Sequence, residues 1–315
     1  MGGTAATIIA EAGVAADQLP AAVGRQLTAA AIGSEAELRS LRWELGEVVR
    51  ALRGTGIRVV PLKGADFLLR NARAARGRKV SDLDLLIAPA DLDRATAAFV
   101  ATGWSMGDEP TGKSEGREHH LPVMIHKVRW TQLELHYQVV AEGGTIGLDV
   151  AALLAQATLQ PDGVLALLSP EDTTLVTVAH FIRNKRFLSA FRDLFDLRQL
   201  VAEFTASDAD FGSRLALRAE RLGLEAALSR AARDSTALFG LLASPALVAW
   251  AGKQAPALAG GSPLVLIPDG ATRPPFRTRL GRIGRMFARL RSTHPRGQAL
   301  HAGWQLIAGG GASDE

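Results

Sequence analysis

The chain has 315 residues, of which 47% are hydrophobic and none is cysteine. This length fits about two domains with packed cores, and the absence of cysteine excludes disulfides, thiolate metal sites and a cysteine nucleophile. The formal net charge is +4, but the segment 273–296 holds eight arginines and no acidic residue, which leaves 28 basic against 32 acidic residues elsewhere. We therefore expect a mildly acidic body with one local basic element.

The N-terminal stretch has no basic residues ahead of an apolar run, so it lacks the pattern of a secretory signal peptide. No apolar window reaches the length of about 18 residues at which a membrane-spanning helix becomes a candidate. These two absences predict a soluble, cytoplasmic protein without a transmembrane segment.

The first elements are predicted to be helical. Residues 1–33 are interpreted as a helical lead, and Ser34 with Glu37 three residues later is typical of a capping box, which predicts a helix that begins at residue 34. A strand is predicted over 57–62, and Pro61 near its end favours an edge position, because proline cannot donate to a sheet hydrogen bond.

An apolar strand predicted over 80–88 carries the most informative pair of residues, Asp82 and Asp84. Strand side chains alternate between faces, so both carboxylates point the same way, about 7 Å apart. Two like charges on one face repel unless a cation or strong donors lie between them. Replacing either aspartate with Asn is therefore expected to leave the fold intact and to stabilise it slightly.

A second polar face is predicted on the strand over 129–140, which we expect to pair antiparallel with a strand over 119–127. Gln132, Glu134 and His136 alternate there with leucines, so they share one face. Asp82, Asp84 and Glu134 together have the order and spacing that a metal-dependent phosphoryl-transfer site needs.

The remainder of the chain is predicted to be helical after a glycine break near residue 143. Helices are expected over 149–157, 170–183, 187–204 and 207–239. The predicted organisation is a core over 34–140, a helical domain over 149–250, and a linker, Arg-rich element and tail over 251–315, with the active cleft between core and helical domain.

These motifs resemble the nucleotidyltransferase superfamily of the DNA polymerase beta type, and within it a bacterial branch of mostly uncharacterised members. The similarity spans roughly residues 38–200, and it is carried by Leu62-Lys63-Gly64, by Arg78 and Ser81 before the Asp-x-Asp, by Glu134-Leu135-His136, and by Ser169-Pro170-Glu171-Asp172, His180 and the segment 192–196. Lys63 departs from the wider superfamily, which has a small residue there, and the gap from Gly64 to Asp82 is long.

The resemblance implies an α/β (α+β) fold, with a small mixed sheet followed by a helical domain, and a Mg²⁺-dependent nucleotidyltransferase. Mn²⁺ is the alternative ion. The donor would be a nucleoside triphosphate, and the acceptor a small molecule, a protein or RNA. By the same resemblance, Asp82, Asp84 and Glu134 are the catalytic and metal-binding residues, Lys63, Gly64, Arg78 and Ser81 bind the nucleotide, and His136 and His180 are cleft candidates.

Each assignment has a structural alternative. Lys63 could be a solvated loop lysine, His136 could pair with Glu134 or lie exposed, and His180 could be a core histidine. Asp193 and Asp196 could serve only helix-stabilising contacts to nearby basic side chains such as Arg192 or Lys185.

Two other function classes also stay open. One is a nucleic-acid-binding protein that contacts phosphates through 273–296, and the other is an inactive nucleotidyltransferase relative with a binding or regulatory role. The segment 273–296 has apolar residues at helical spacing, and it is predicted to dock on RNA, on an anionic membrane or on the acidic body of the protein itself.

Overall fold

The computed structural model describes residues 2–11, 19–80, 82–106, 121–140, 147–183, 187–240 and 242–254. Several sequence predictions fall outside these ranges: the nucleotide-binding role of Ser81, the glycine break near residue 143, the Arg-rich element over 273–296, and most of the linker and tail predicted over 251–315.

The described part of the chain is mainly helical. The helices are α1 (Gly2–Glu11), α2 (Ala21–Leu52), α3 (Lys63–Leu69), α4 (Leu92–Ala101), α5 (Val150–Gln156), α6 (Pro170–Arg183), α7 (Phe187–Ser207), α8 (Phe211–Arg221), α9 (Glu225–Phe239) and α10 (Pro245–Lys253). The strands are β1 (Val59–Pro61), β2 (Asp82–Ile87), β3 (Trp104–Met106), β4 (Met124–His126), β5 (Gln132–His136), β6 (Val139–Val140), β7 (Gly147–Leu148), β8 (Thr158–Leu159) and β9 (Ala166–Leu167). Short 3-10 turns cover Arg73–Ala75 and Pro89–Asp91.

Five strands form one mixed sheet in the order β1-β2-β5-β4-β3. The β2–β5 pair is parallel, and the other three pairs are antiparallel. The predicted mixed sheet is therefore confirmed, as are the antiparallel pairing of β4 with β5 and the edge position of the strand that contains Pro61. The edge position leaves one side of β1 without a ladder partner in this sheet, which is where proline is tolerated.

Strand alternation divides the apolar residues between the two faces of the sheet. Leu83, Leu85, Leu133 and Leu135 are fully buried in a cluster with residues of α2, α3 and α4, and each such leucine stabilises the fold by about 1.5–3 kcal/mol. Leu86 on the other face joins a second cluster, which is built mainly from helices α6 to α10. The even-numbered residues of β2 therefore face the helical part of the chain.

The predicted helix start at Ser34 is wrong. Helix α2 begins at Ala21 and runs through that position, and Ser34 is a buried interior residue whose Oγ donates to the carbonyl of Ala31 at 2.9 Å. The alanine-rich sequence before residue 34 has high helix propensity, so the helix needs no cap there. Glu37 instead accepts a hydrogen bond from the backbone N–H of Val80 at 3.3 Å, which ties α2 to the segment that leads into β2.

The single helix predicted over 207–239 is also wrong. The structure divides it into α8 and α9 at Gly223, which has a left-handed φ of 67°. Glycine reaches this conformation without a steric penalty, and it commonly ends a helix. The break folds α8 back beside α9, and both pack in the cluster that covers the even face of β2.

Among the helices in the described ranges, none is both long enough and apolar enough to cross a membrane.

Candidate active site

The parallel pairing of β2 with β5 brings the predicted carboxylates together. In this register Asp84 lies opposite Glu134, and Leu86 lies opposite His136. One possible ligand atom from each of Asp84, Glu134 and His136 lies within 4.8 Å of the other two. Asp84 and Glu134 are therefore close enough to share a hydrated metal ion.

Asp84 is buried between two positively polarised neighbours. Its Oδ2 lies 3.0 Å from Lys63 Nζ, and its Oδ1 lies 2.8 Å from His136 Nε2. Burial on its own would raise the pKa of Asp84, but the charge of Lys63 and the hydrogen bond from His136 outweigh it and hold the pKa far below its usual range. The carboxylate is therefore ionised at any physiological pH.

His136 is buried and contacts both carboxylates of the group. Its Nε2 is 3.4 Å from Glu134 Oε2 as well as 2.8 Å from Asp84. Burial lowers its pKa, yet the hydrogen bonds to Asp84 and Glu134 reverse that effect, and the pKa lies above the ordinary value. The interpretation of His136 as an exposed residue is wrong, and the interpretation as a partner of Glu134 is confirmed.

The Lys63-Gly64 turn places the lysine side chain beside Asp84. The residue with a left-handed backbone is Lys63, with φ of 51°, and not Gly64. Leu62 N–H donates to the carbonyl of Asp84 at 3.0 Å, which fixes the start of α3 beside the site. A left-handed non-glycine residue costs about 1–3 kcal/mol, and such strain is concentrated at functional sites. The interpretation of Lys63 as a merely solvated lysine is wrong.

Gly64 is required for close packing. A Cβ built at this position would lie 2.7 Å from Val80 Cγ2 and 3.0 Å from Arg78 Nε. Real side chains do not tolerate such contacts, so the segment that leads into β2 passes directly over Gly64. The sequence indicated a functional glycine here but not this packing reason, which depends on a segment that lies about fifteen residues further along the chain.

Arg78 is buried beneath the site and forms an ion pair with Asp196 of α7. Its guanidinium also lies over the ring of Phe67, 5.2 Å from the ring centroid. Burial and the charge of Arg192 lower the pKa of Arg78 to about 9, while the charges of Asp193, Asp84 and Asp82 act in the opposite direction. Arg78 thus supplies positive charge near the carboxylates. Its ion pair with Asp196 links the segment that leads into β2 to α7.

His180 of α6 and Asp193 of α7 form a second pair on the helical side, with His180 Nδ1 2.8 Å from Asp193 Oδ2. The pKa of His180 lies below its usual value, because the effect of burial outweighs that of Asp193. The charge of Lys63 also lowers this pKa, and the charge of Asp84 raises it. Burial would raise the pKa of Asp193, but His180 and Arg78 hold it below the usual value. Asp193 and Asp196 therefore have partners on other elements, and they are more than local helix-stabilising residues.

Arg183, at the end of α6, was not predicted from the sequence. Partial desolvation lowers its pKa, and the charges of Glu134 and Asp84 counteract that effect, so its guanidinium lies within electrostatic reach of the carboxylates. The available signal was its position three residues after His180, which puts the two on neighbouring positions of one helical face.

Asp82 is the sequence-predicted carboxylate that lies outside the group with metal-ligand spacing. It is half-buried at the start of β2, opposite Gln132, and its charge contributes to raising the pKa of Arg78. Within the described residues, the group with metal-ligand spacing consists of Asp84, Glu134 and His136 and does not include Asp82. The two carboxylates of this group suit Mg²⁺ or Mn²⁺, for which imidazole is a poorer ligand, so His136 fits better as their hydrogen-bond partner.

Helix α3, which begins at Lys63, is anchored to α6 by Asp66. This buried carboxylate accepts from Arg70 Nε at 2.8 Å and from Thr173 Oγ at 3.1 Å, and Arg70 also donates to the carbonyl of Leu168. Burial raises the pKa of Asp66 to about 6, even though Arg70 and Thr173 lower it. The Asp66 carboxyl therefore loses its proton near pH 6, within the range in which the protein can be studied.

We expect Asp66 to make the stability of the protein depend on pH. A carboxyl whose pKa is raised on folding binds its proton more tightly in the folded state, so stability falls as pH rises from the unfolded value, near 4, to about 6. Relative to an Asp66→Asn variant, the wild-type free energy of unfolding should decrease by about 2–3 kcal/mol over this range and then level off. Urea unfolding of both proteins at pH 4, 5, 6 and 7 measures this change. A difference in the free energy of unfolding between the two proteins that does not depend on pH would contradict the prediction.

The fold and the site together define a mixed-sheet protein with a buried carboxylate–histidine group that could bind a divalent metal ion. A family model for uncharacterised nucleotidyltransferases matches residues 3–240. The chain therefore belongs to that family of nucleotidyltransferases. Comparison with curated proteins and comparison with solved structures each found no match. The resemblance seen in the sequence is confirmed at the level of this family, and the narrower bacterial branch stays a prediction.

Proposed function

We propose that the protein is a metal-dependent nucleotidyltransferase, which moves a nucleoside monophosphate from a nucleoside triphosphate to an acceptor hydroxyl or phosphate and releases pyrophosphate. The observation that carries this proposal is the buried group of Asp84, Glu134 and His136, whose ligand atoms lie within 4.8 Å of one another beside Lys63. Membership of the nucleotidyltransferase family supports it independently. The intact carboxylates also argue against an inactive relative.

In this proposal Asp82, Asp84 and Glu134 would hold Mg²⁺ or Mn²⁺. When bound, such an ion neutralises phosphate charge and polarises the phosphoryl oxygens. Glu134, the more exposed carboxylate of the group, is placed to accept the proton of the acceptor. His136 keeps the Asp84 carboxylate oriented through its 2.8 Å hydrogen bond.

The triphosphate would be held by positive groups around the carboxylates. Lys63 contacts Asp84 directly, Arg183 lies within reach of Glu134 and Asp84, and Arg78 adds charge from below. Backbone N–H groups at Gly64, and Ser81 before the Asp-x-Asp, complete the proposed phosphate contacts. His180, beside Lys63 and held by Asp193, would line the acceptor side of the cleft between sheet and helices.

The acceptor is proposed only by class: a small molecule, a protein or RNA. The helical residues over 149–250 would bound the acceptor side, and docking of 273–296 on an acidic partner stays a prediction. A cytoplasmic location would give such an enzyme its nucleoside triphosphate donor.

We expect one of the four nucleoside triphosphates to stabilise the protein against heat when Mg²⁺ or Mn²⁺ is present. A ligand that binds only the folded state at a hundredfold excess over its Kd adds about 2.7 kcal/mol, which corresponds to a rise of several degrees in Tm. The measurement is a thermal-shift screen of each nucleotide with Mg²⁺, with Mn²⁺ and with EDTA. The proposal fails if no nucleotide stabilises the protein in a metal-dependent way.

A further inference from the structure

A cavity of about 240 Å³ lies away from the carboxylate group, between α2, the end of α3 and the 3-10 turn after it. Its floor is apolar and includes the buried side chains of Leu68, Ala72 and Ala75, whereas Arg39, Arg42 and Arg76 stand around it. We refer to it as the arginine cavity. Asn71 and Glu35 complete its polar lining.

The three guanidinium groups of the arginine cavity have no hydrogen-bond or ion-pair partner among the described residues. Some arginines elsewhere in the fold have carboxylate partners, such as Arg50 with Glu47 and Arg129 with Glu44, whereas others such as Arg25 and Arg53 have none in the described part of the chain, so the distinguishing feature of the three is that they surround one cavity. Glu35 is the cavity's one acidic lining residue, so the lining carries a net charge of about +2 from these four side chains. Like charges gathered around a concave, partly apolar surface repel one another and favour a bound anion.

The backbone that carries Arg76 is braced by the N-terminal helix. Thr7 Oγ of α1 donates to the carbonyl of Arg76 at 3.2 Å. Gly77 has a φ of 67°, and a Cβ there would lie 2.2 Å from the carbonyl oxygen of Gly3. Because α1 packs directly on this segment, Arg76 sits on a restrained backbone at the rim, which lowers the entropy lost when a ligand binds.

The arginine cavity is separated from the candidate active site by the length of α3. This helix begins at Lys63 beside Asp84, and the cavity residues Leu68 and Asn71 lie at its other end. Seven residues at 1.5 Å each span roughly 10 Å. A ligand in the cavity would therefore not occupy the carboxylate group.

We infer that the arginine cavity is a second anion-binding site, which takes a small organic phosphate of nucleotide size. Arginine forks bind phosphate oxygens in a bidentate manner, and the apolar floor suits a ring or base. The volume of about 240 Å³ lies just below the usual range of ligand pockets, which starts at about 300 Å³, so the cavity fits a small ligand better than a polymer. This inference does not depend on the proposed transfer reaction.

The test is calorimetric titration of the full-length protein with ADP in EDTA, so that metal-dependent binding at the active site does not contribute. We expect Arg39→Gln/Arg42→Gln to weaken ADP binding by at least about tenfold, because two charge-assisted contacts are lost. The matched control Arg25→Gln/Arg53→Gln removes two exposed, unpaired α2-end arginines and should bind like wild type. Asp84→Asn should also retain the binding.

Three outcomes would overturn the inference. The first is no ADP binding by wild type at several millimolar, and the second is equal binding by wild type and the Arg39/Arg42 variant. The third is a short single-stranded RNA that binds far more tightly than ADP and loses affinity in the same variant, which would make the surface a nucleic-acid site. Circular dichroism of each variant confirms that it is folded.

Discussion

Asp84→Asn is expected to reduce nucleotide transfer by at least about a hundredfold. Phosphoryl transfer is catalysed mainly by positioned charges that stabilise the transition state. Asp84 is the most deeply placed member of the carboxylate group, and it contacts both Lys63 and His136. Loss of its charge would remove one of the proposed metal ligands and the ion-pair partner of Lys63. Asp82→Asn should also be harmful, although Asp82 is not part of the group with metal-ligand spacing.

The same substitution should destabilise the protein. The like-charge argument from the sequence predicted slight stabilisation, but in the structure the charge of Lys63 and the hydrogen bond with His136 compensate the charge of Asp84. Removing a buried charge whose partners stay in place costs about 1–3 kcal/mol. Because the pKa of Asp84 is depressed on folding, its contribution is present above the unfolded pKa and is lost only as pH falls far below it.

The activity is measured as pyrophosphate release in the presence of Mg²⁺, once the donor and acceptor are found. Mn²⁺ binding is measured by calorimetry, which requires neither the donor nor the acceptor. Asp93→Asn is the matched control, since Asp93 is an exposed residue of α4. Wild-type activity and undiminished Mn²⁺ affinity in folded Asp84→Asn would leave the similarity as one of fold alone.

Arg78→Met should have the largest effect on stability. Its partner Asp196 is buried, and the Arg78 guanidinium also covers the ring of Phe67. Removing one side of a buried ion pair leaves an uncompensated charge and costs about 3–5 kcal/mol. Methionine keeps most of the aliphatic volume, so the loss should come from the charge rather than from a cavity.

The double variant Arg78→Met/Asp196→Asn separates these causes. With both charges removed, much of the lost stability should return, and a double-mutant cycle gives the coupling between them. Arg94→Met is the control, because the Arg94–Asp91 pair is exposed, and such pairs contribute about 0–1 kcal/mol. Denaturant unfolding is measured for wild type, Arg78→Met, Asp196→Asn, the double variant and Arg94→Met. Equal losses of stability in Arg78→Met and Arg94→Met would contradict the prediction.

Local sequence patterns were sufficient to predict much of the architecture. Alternating leucines predicted that Asp82 and Asp84 share a face and that Glu134 and His136 share another, and the burial of Leu83, Leu85, Leu133 and Leu135 agrees. The helix boundaries were less predictable. Ser34 matched a capping box, yet the preceding alanine-rich segment is helical too, and a local cap pattern cannot show that the helix has already begun.

The chemical groups of the site, and the strand face on which each one lies, could be predicted from the sequence, because side-chain alternation is a local property of a strand. The partners of these groups could not, because they follow from the fold. Asp84 meets His136 across 52 residues, and Arg78 meets Asp196 across 118. These contacts depend on the parallel register of β2 with β5 and on the docking of α7 against the 3-10 turn at Arg73–Ala75, which are fixed by long-range packing of buried surface and leave no local pattern in the sequence.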